Sequence, residues 1–172
     1  MNYKTRLHDI RLFAFDYDGV FSSGTILLMP DGAQVRTAST RDGFAVQWAA
    51  KQGVDIALVT GGKEPAVGQR LRGLGVQHIH LGAHDKLAVV TQLASDLGVP
   101  FSAIAYMGDD LNDFPVMQAV GLAACPQDAV PEIREVADYV SPFAGGTGCV
   151  RDLLEQHMKL RGIWNQNGVH HW

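Results

Sequence analysis

The chain is short of several things, and each shortage removes a class of protein. It has only two cysteines, Cys125 and Cys149, in no metal-type spacing. That argues against a disulfide framework or a thiolate metal site and suits a reducing compartment. No stretch approaches the roughly 20 apolar residues of a membrane span. Met1 to Arg11 carries scattered charges rather than the apolar core of a signal peptide. Positive charge is not in excess either: the formal net charge is -4, unlike a basic nucleic-acid surface. Internal repeats and low-complexity linkers are absent. What remains is an ordinary globular composition, 47% hydrophobic and 19% charged over 172 residues, enough for one domain with a real core. A soluble cytoplasmic protein with no membrane or nucleic-acid partner is expected.

Apolar strand-like runs alternate with amphipathic stretches, which predicts an α/β fold: a Rossmann-like, mainly parallel sheet flanked by helices. Strands are expected at Leu12–Phe15, Val54–Val59, Val76–Leu81, Ser102–Met107 and Val120–Ala124, with an edge strand at Asp138–Val140. Helices are expected at Asp42–Gln52, Glu64–Leu74, Lys86–Leu97, Leu111–Ala119, Asp128–Val136 and Val150–Lys159. Thr25–Met29 and Ala33–Thr37 flank Pro30-Asp31-Gly32, a turn sequence, and read as a β-hairpin inserted after the first strand. A single domain over residues 1–161 and a mobile tail over 162–172 complete the expectation.

Chemistry concentrates at the carboxyl ends of these strands, where ligands sit in parallel α/β sheets. Asp16 and Asp18 follow the first strand, two like charges one residue apart. Such a pair calls for a nearby cation or a shared proton, and one carboxylate could attack while the other handles protons. Thr60-Gly61-Gly62 follows the strand at Val54–Val59 and offers a hydroxyl and turned peptide N–H groups to an oxyanion. Lys86, at a helix start, is a point charge suited to phosphate. Asp109, with Asp110 and Asp113, supplies hard oxygen donors of the kind Mg²⁺ takes. Each segment alone has a plain explanation as a turn, a surface lysine or helix-start acids. Together, in this order at strand ends, they are the equipment of phosphoryl transfer.

Asp16-x-Asp18-Gly19-Val20, Thr60-Gly61, Lys86 and Gly108-Asp109-Asp110-x-x-Asp113 resemble the four motifs of the haloacid dehalogenase-like (HAD) phosphatases. The closer resemblance, from Phe13 to about Leu154, is to the 3-deoxy-D-manno-octulosonate 8-phosphate (KDO 8-P) phosphatase family. It is supported by Thr40-Arg41-Asp42-Gly43-Phe44, Ala137-Asp138-Tyr139-Val140 and Gly145-Gly146-x-Gly148-Cys149-Val150-Arg151. The resemblance implies that Asp16 forms an aspartyl-phosphate and that Asp18 acts as general acid, then base. It implies Mg²⁺ on the Asp16 carboxylate, the Asp18 backbone carbonyl and Asp109. Thr60, Gly61 and Lys86 would hold the phosphoryl group, with Asp110 and Asp113 in outer support. Only 42 positions separate Asp18 from Thr60, and 26 separate Thr60 from Lys86. A cap domain, commonly about 50 residues or more, does not fit. The family closes its uncapped site by forming a homotetramer, and Ile26, Leu27, Leu28 and Met29 on the hairpin fit such an assembly surface.

The sequence departs from the family at Gly62, where a long charged side chain is common, and at Ser23, where an aspartate is common. Arg41 and Arg70 are the candidates for the substrate's carboxylate. The expected substrate is a small sugar-acid phosphate, KDO 8-P in lipopolysaccharide sugar synthesis; a nine-carbon ulosonate 9-phosphate is the alternative. Two other classes compete: a receiver domain, whose phosphorylated aspartate would end the strand that here ends in Thr60, and a catalytically silent assembly module, which would lack part of the acidic set. His78 and His80, the Gly145-Gly146-Thr147-Gly148 loop, and His170 and His171 are read as structural.

Overall fold

A computed structural model describes residues 2–164. Six parallel strands form the sheet: β1 (Leu12–Phe15), β4 (Asp55–Thr60), β5 (His78–Leu81), β6 (Ile104–Met107), β7 (Leu122–Cys125) and β8 (Tyr139–Val140). Their order is β5-β4-β1-β6-β7-β8. The chain runs outward from β1 on one side, then crosses back to lay β6 on the other. A crevice therefore opens at the carboxyl end of β1, the topological switch point. The separate two-stranded hairpin, β2 (Ile26–Leu28) and β3 (Gln34–Arg36), is antiparallel and follows β1 as expected.

Strand periodicity divides the core. Phe13 and Phe15 face one layer with Leu7, Val46, Leu71 and Leu153; Leu12 and Ala14 face the other with Val90, Val116 and Ile133. These partners come from α1 (Tyr3–Asp9), α2 (Thr40–Lys51), α3 (Pro65–Gly73) and α7 (Cys149–Leu160) on one side. On the other they come from α4 (Lys86–Leu97), α5 (Phe114–Ala119) and α6 (Pro131–Val136). Each large apolar side chain fully buried this way contributes about 1.5–3 kcal/mol. Among the described residues no helix is long and apolar enough to cross a membrane.

Several differences from the sequence reading have local causes. Helix α1 was not expected: seven residues are too few to display a period, and only Leu7 is buried. It is held by the Asn2 cap, whose Oδ1 accepts the Lys4 N–H at 3.1 Å, and by the 2.8 Å contact of His157 Nδ1 with the Leu7 carbonyl. The helix expected over Leu111–Ala119 is a 3₁₀ turn, Leu111–Asp113, followed by α5. Pro115 has no N–H to continue an α-ladder through that point. The expected tail starts docked: Trp48 Nε1 donates to the Ile163 carbonyl at 3.2 Å, and Trp164 lies edge-on to Phe44. Residues 165–172, including His170 and His171, lie outside the described residues.

Candidate active site

The Asp16 N–H donates to the Met107 carbonyl at 3.0 Å, extending the β1–β6 ladder by one residue. The chain then turns, with Val20 and Ser22 N–H groups both on the Tyr17 carbonyl. Gly19 sits at φ 81°, where a side chain would run into the Asp109 carboxylate. Glycine is required twice over there, by conformation and by the close approach of the β6 loop. The Gly145-Gly146 segment presses on this same turn: the Gly146 N–H donates to the Val20 carbonyl at 2.8 Å, and a Cβ on Gly145 would strike the Gly19 carbonyl. The glycine-rich loop thus braces the turn from behind.

The two aspartates do not share one cation. Asp16 Oδ2 lies 2.8 Å from Lys86 Nζ, and its Oδ1 accepts the Tyr17 N–H. Asp18 instead takes the Arg36 Nε–H from the hairpin, at 2.9 Å and 3.0 Å to its two oxygens, and Ser22 Oγ at 3.3 Å. Lys86 reaches Asp16 because the Gly82 and Ala83 N–H groups bond the Gly62 and Thr60 carbonyls, both at 2.9 Å. These bonds zip the loops after β5 and β4 together. Asp85 caps α4 by accepting the Ala88 N–H at 2.9 Å, so Lys86 opens the helix facing the crevice. Thr60 is buried, and its Oγ1 accepts the Gly62 N–H at 3.2 Å, leaving its own O–H to donate.

Asp113 is the hub. Its Oδ1 accepts from Lys86 Nζ and from the Tyr106 hydroxyl, both at 2.6 Å; its Oδ2 accepts the Asp109 N–H at 3.0 Å and the Asp110 N–H at 3.4 Å. Gly108 makes room, since a Cβ there would collide with the Asp113 side chain. Asp110 is exposed, and its Oδ1 accepts the Leu111 N–H at 2.7 Å, capping the 3₁₀ turn.

Oxygens of Asp16, Asp109 and Asp113 lie within 4.8 Å of one another. Burial first, then the Asp113 charge, pushes Asp16 up to about 6 against the opposing pull of Lys86. Burial, then Asp16 and Asp113, pushes Asp109 up to about 7. Burial alone would lower Lys86, but Asp16 and Asp113 outweigh it and raise it. Three carboxylates against one ammonium leave the cluster two positive charges short, the charge of one divalent ion. The residues fit Mg²⁺, an ion that takes one or two carboxylates and keeps water. The Asp113 oxygens already take four donors and the Asp16 oxygens one each from Lys86 and Tyr17, so Asp113 has the least lone-pair capacity left for an ion.

Arg70 and Arg41 separate. Arg70, on α3, is close enough to Tyr17 for its charge to lower the phenol against the larger effect of burial. Arg41 lines a different groove, with Phe143, Thr147 and Arg151, into which none of the acidic cluster opens. His78 and His80 occupy edge strand β5, outside the acidic group that could hold a metal. Sequence reading missed Arg36, Ser22 and Tyr106. Tyr106 looked like a core strand residue; Arg36 carried a signal, a charge alternating with Val35 on a short strand.

Parallel sheet, acidic cluster and buried lysine at the switch point are the features of a haloacid dehalogenase-like hydrolase, and residues 75–151 match that family. The chain is 36% identical over 158 residues to the 3-deoxy-D-manno-octulosonate 8-phosphate phosphatase of Salmonella typhi, covering 92% of this chain and 84% of that protein. Among solved structures, the Yersinia pestis enzyme of that name superposes with a TM-score of 0.92 at 32% identity, covering 95% of this chain and 88% of that one. The Moraxella catarrhalis enzyme, in complex with magnesium, phosphate and a KDO molecule, gives 0.91 at 32% identity, with 95% of each chain covered. The chain belongs to the KDO 8-P phosphatase family of HAD hydrolases, and it is a phosphatase of that kind.

Proposed function

We propose that the chain is a Mg²⁺-dependent phosphomonoesterase of a sugar-acid phosphate, KDO 8-P first, working through an aspartyl-phosphate on Asp16. The observation that carries this reading is Asp16 itself: a carboxylate only 5% exposed, 2.8 Å from Lys86, clustered with Asp109 at the switch point. An Asp16 oxygen attacks phosphorus, and the bond from phosphorus to the sugar oxygen breaks. Asp18 gives that oxygen its proton. Asp18 then takes a proton from a water attacking phosphorus, the Asp16–phosphorus bond breaks, and orthophosphate leaves. The net change is ester plus water to alcohol plus phosphate. Lys86 has three donors and spends two on Asp16 and Asp113, so one remains for a phosphoryl oxygen. The Thr60 hydroxyl and the peptides at Gly61 and Gly62 serve the other oxygens. Asp16, the Asp18 carbonyl and Asp109 would hold Mg²⁺, which supplies charge neutralisation to the phosphoryl group.

For the substrate's carboxylate Arg70, beside Tyr17, is preferred to Arg41. KDO in the Moraxella catarrhalis relative supports the eight-carbon substrate; the bare Gly62 keeps the nine-carbon ulosonate 9-phosphate as comparator. Leu27, Leu28, Met29 and Val35 stand 56%, 78%, 45% and 45% exposed on the hairpin, and we assign that face to the contacts of a cytoplasmic homotetramer that covers the site. The test is phosphate release from both sugar phosphates with Mg²⁺ or with chelator. A higher kcat/KM for KDO 8-P, lost in chelator, is expected; preference for the nine-carbon ester overturns the substrate, and release unaffected by chelator overturns the chemistry.

A further inference from the structure

Arg36 has no assigned role, yet it is one of the best-fixed charges in the molecule. It lies on β3, where Val35 faces out at 45% exposure while the Arg36 side chain is only 7% exposed. Its Nε–H is shared between both Asp18 oxygens. Its outer nitrogens are spread over the hairpin and the residue preceding α3: Nη1 to the Gln34 carbonyl at 3.4 Å and Glu64 Oε1 at 3.7 Å, Nη2 to Gln34 Oε1 at 3.4 Å. The guanidinium also borders the space a larger residue at position 62 would use; a Cβ on Gly62 would stand 3.7 Å from Nη2 and 3.8 Å from Asp18 Oδ2. Ser22 Oγ, in the same turn, donates to Asp18 Oδ1 and receives the Gly24 N–H, both at 3.3 Å. A carboxylate held by two side chains cannot rotate freely. One of the two grips belongs to the hairpin rather than to the sheet.

We propose that Arg36 is the positioning residue for Asp18: it aims the general acid–base at the leaving oxygen, and so makes proton transfer depend on the hairpin lying over the site. This rests on the phosphatase reading above. In the first half-reaction the proton moves from Asp18 to the departing sugar oxygen as its bond to phosphorus breaks; in the second it returns from water to Asp18. Arg36 neither gives nor takes a proton. Its contribution is geometric, and misaligning a proton donor matters in proportion to how badly the leaving group needs the proton.

The leaving group is therefore the probe. Arg36→Gln and Arg36→Lys are compared with wild type on KDO 8-P, whose alkoxide leaves poorly, and on p-nitrophenyl phosphate, whose phenolate leaves without help. The comparison uses kcat/KM, which reports only steps through the first bond cleavage. Arg36→Gln is expected to lower it roughly 30-fold or more on the sugar phosphate, a part of the roughly 10²–10⁴-fold that general acid catalysis contributes, and less than about 3-fold on the aryl ester. Arg36→Lys should recover part of the loss. The Mg²⁺ concentration for half-maximal rate and the melting temperature should stay near wild type, since a fold or metal defect would strike both esters. Equal losses on the two esters, or no loss on the sugar phosphate, overturn the assignment. A wild-type chain that hydrolyses neither ester overturns the phosphatase reading instead.

Discussion

Lys86→Met tests the electrostatic balance of the site. Methionine keeps most of the stem's volume in a position only 3% exposed, so packing loss is small. What disappears is the ammonium, 2.8 Å from Asp16 and 2.6 Å from Asp113, with Asp109 alongside. Removing one partner of a buried ion pair costs about 3–5 kcal/mol, because the other charge stays buried and uncompensated. In a chain of this size each kcal/mol moves the midpoint about 2–4 °C, so a fall of roughly 6–20 °C is expected in chelator at pH 8. The loss should shrink at pH 5, where Asp16 and Asp109, already raised to about 6 and about 7, carry protons. It should also shrink with saturating Mg²⁺, which returns positive charge to the cluster. Thermal melts by circular dichroism, at both pH values with and without Mg²⁺, read all of this. A variant melting within about 2 °C of wild type in chelator at pH 8 would refute the idea that Lys86 offsets the acidic cluster.

Four further outcomes are expected. Gly19→Ala strains a backbone at φ 81° and drives a methyl into the Asp109 carboxylate, so Mg²⁺ affinity measured by calorimetry should fall at least tenfold, about 1.4 kcal/mol; unchanged affinity would mean Asp109 is no ligand. The apparent Mg²⁺ affinity of wild type should rise about tenfold per pH unit between about 6 and about 7, where Asp109 must release a proton, more steeply below about 6, where Asp16 must release one as well, and level off above about 7. Between the ordinary 3.8 and about 7 the metal-free fold holds a proton on Asp109 that the unfolded chain has released, so its stability should fall as pH rises through that window; a flat melting profile in chelator contradicts this. Leu28→Lys places a charge at the most exposed apolar hairpin position and should dissociate the proposed tetramer by light scattering, whereas a wild-type monomer would remove that assembly.

Much of this was legible because the fold writes its site at strand ends. The hydrophobic run of Leu12–Phe15 predicts a buried strand, and the acids after it need no tertiary knowledge to be noticed. Lys86–Leu97 was readable to the residue because Asp85 caps it and Gly98, at φ 61°, ends it. What escaped depends on tertiary contact. Asp113 and Asp110 look alike in sequence, yet one is a buried hub with four donors and the other an exposed cap. Arg36 and Arg41 are only five positions apart, but strand alternation turns Arg36 onto Asp18 while Arg41, in the first turn of α2, opens on a separate groove. The pairing of Asp16 with Lys86 depends on how the loops after β4 and β5 are zipped together, and that of Asp18 with Arg36 on how the hairpin meets the turn after β1, neither of which a local pattern encodes.

Turnover by the proposed route requires that Asp16 become phosphorylated. Borohydride reduces an acyl phosphate to an alcohol and leaves a free carboxylate untouched, so enzyme quenched with it during turnover of KDO 8-P and Mg²⁺, then mapped by mass spectrometry, reads the step directly. Homoserine at position 16, absent without substrate, is the predicted result. Steady phosphate release with an unmodified aspartate at that position would contradict it, because water would then be attacking the ester without the enzyme's help as nucleophile.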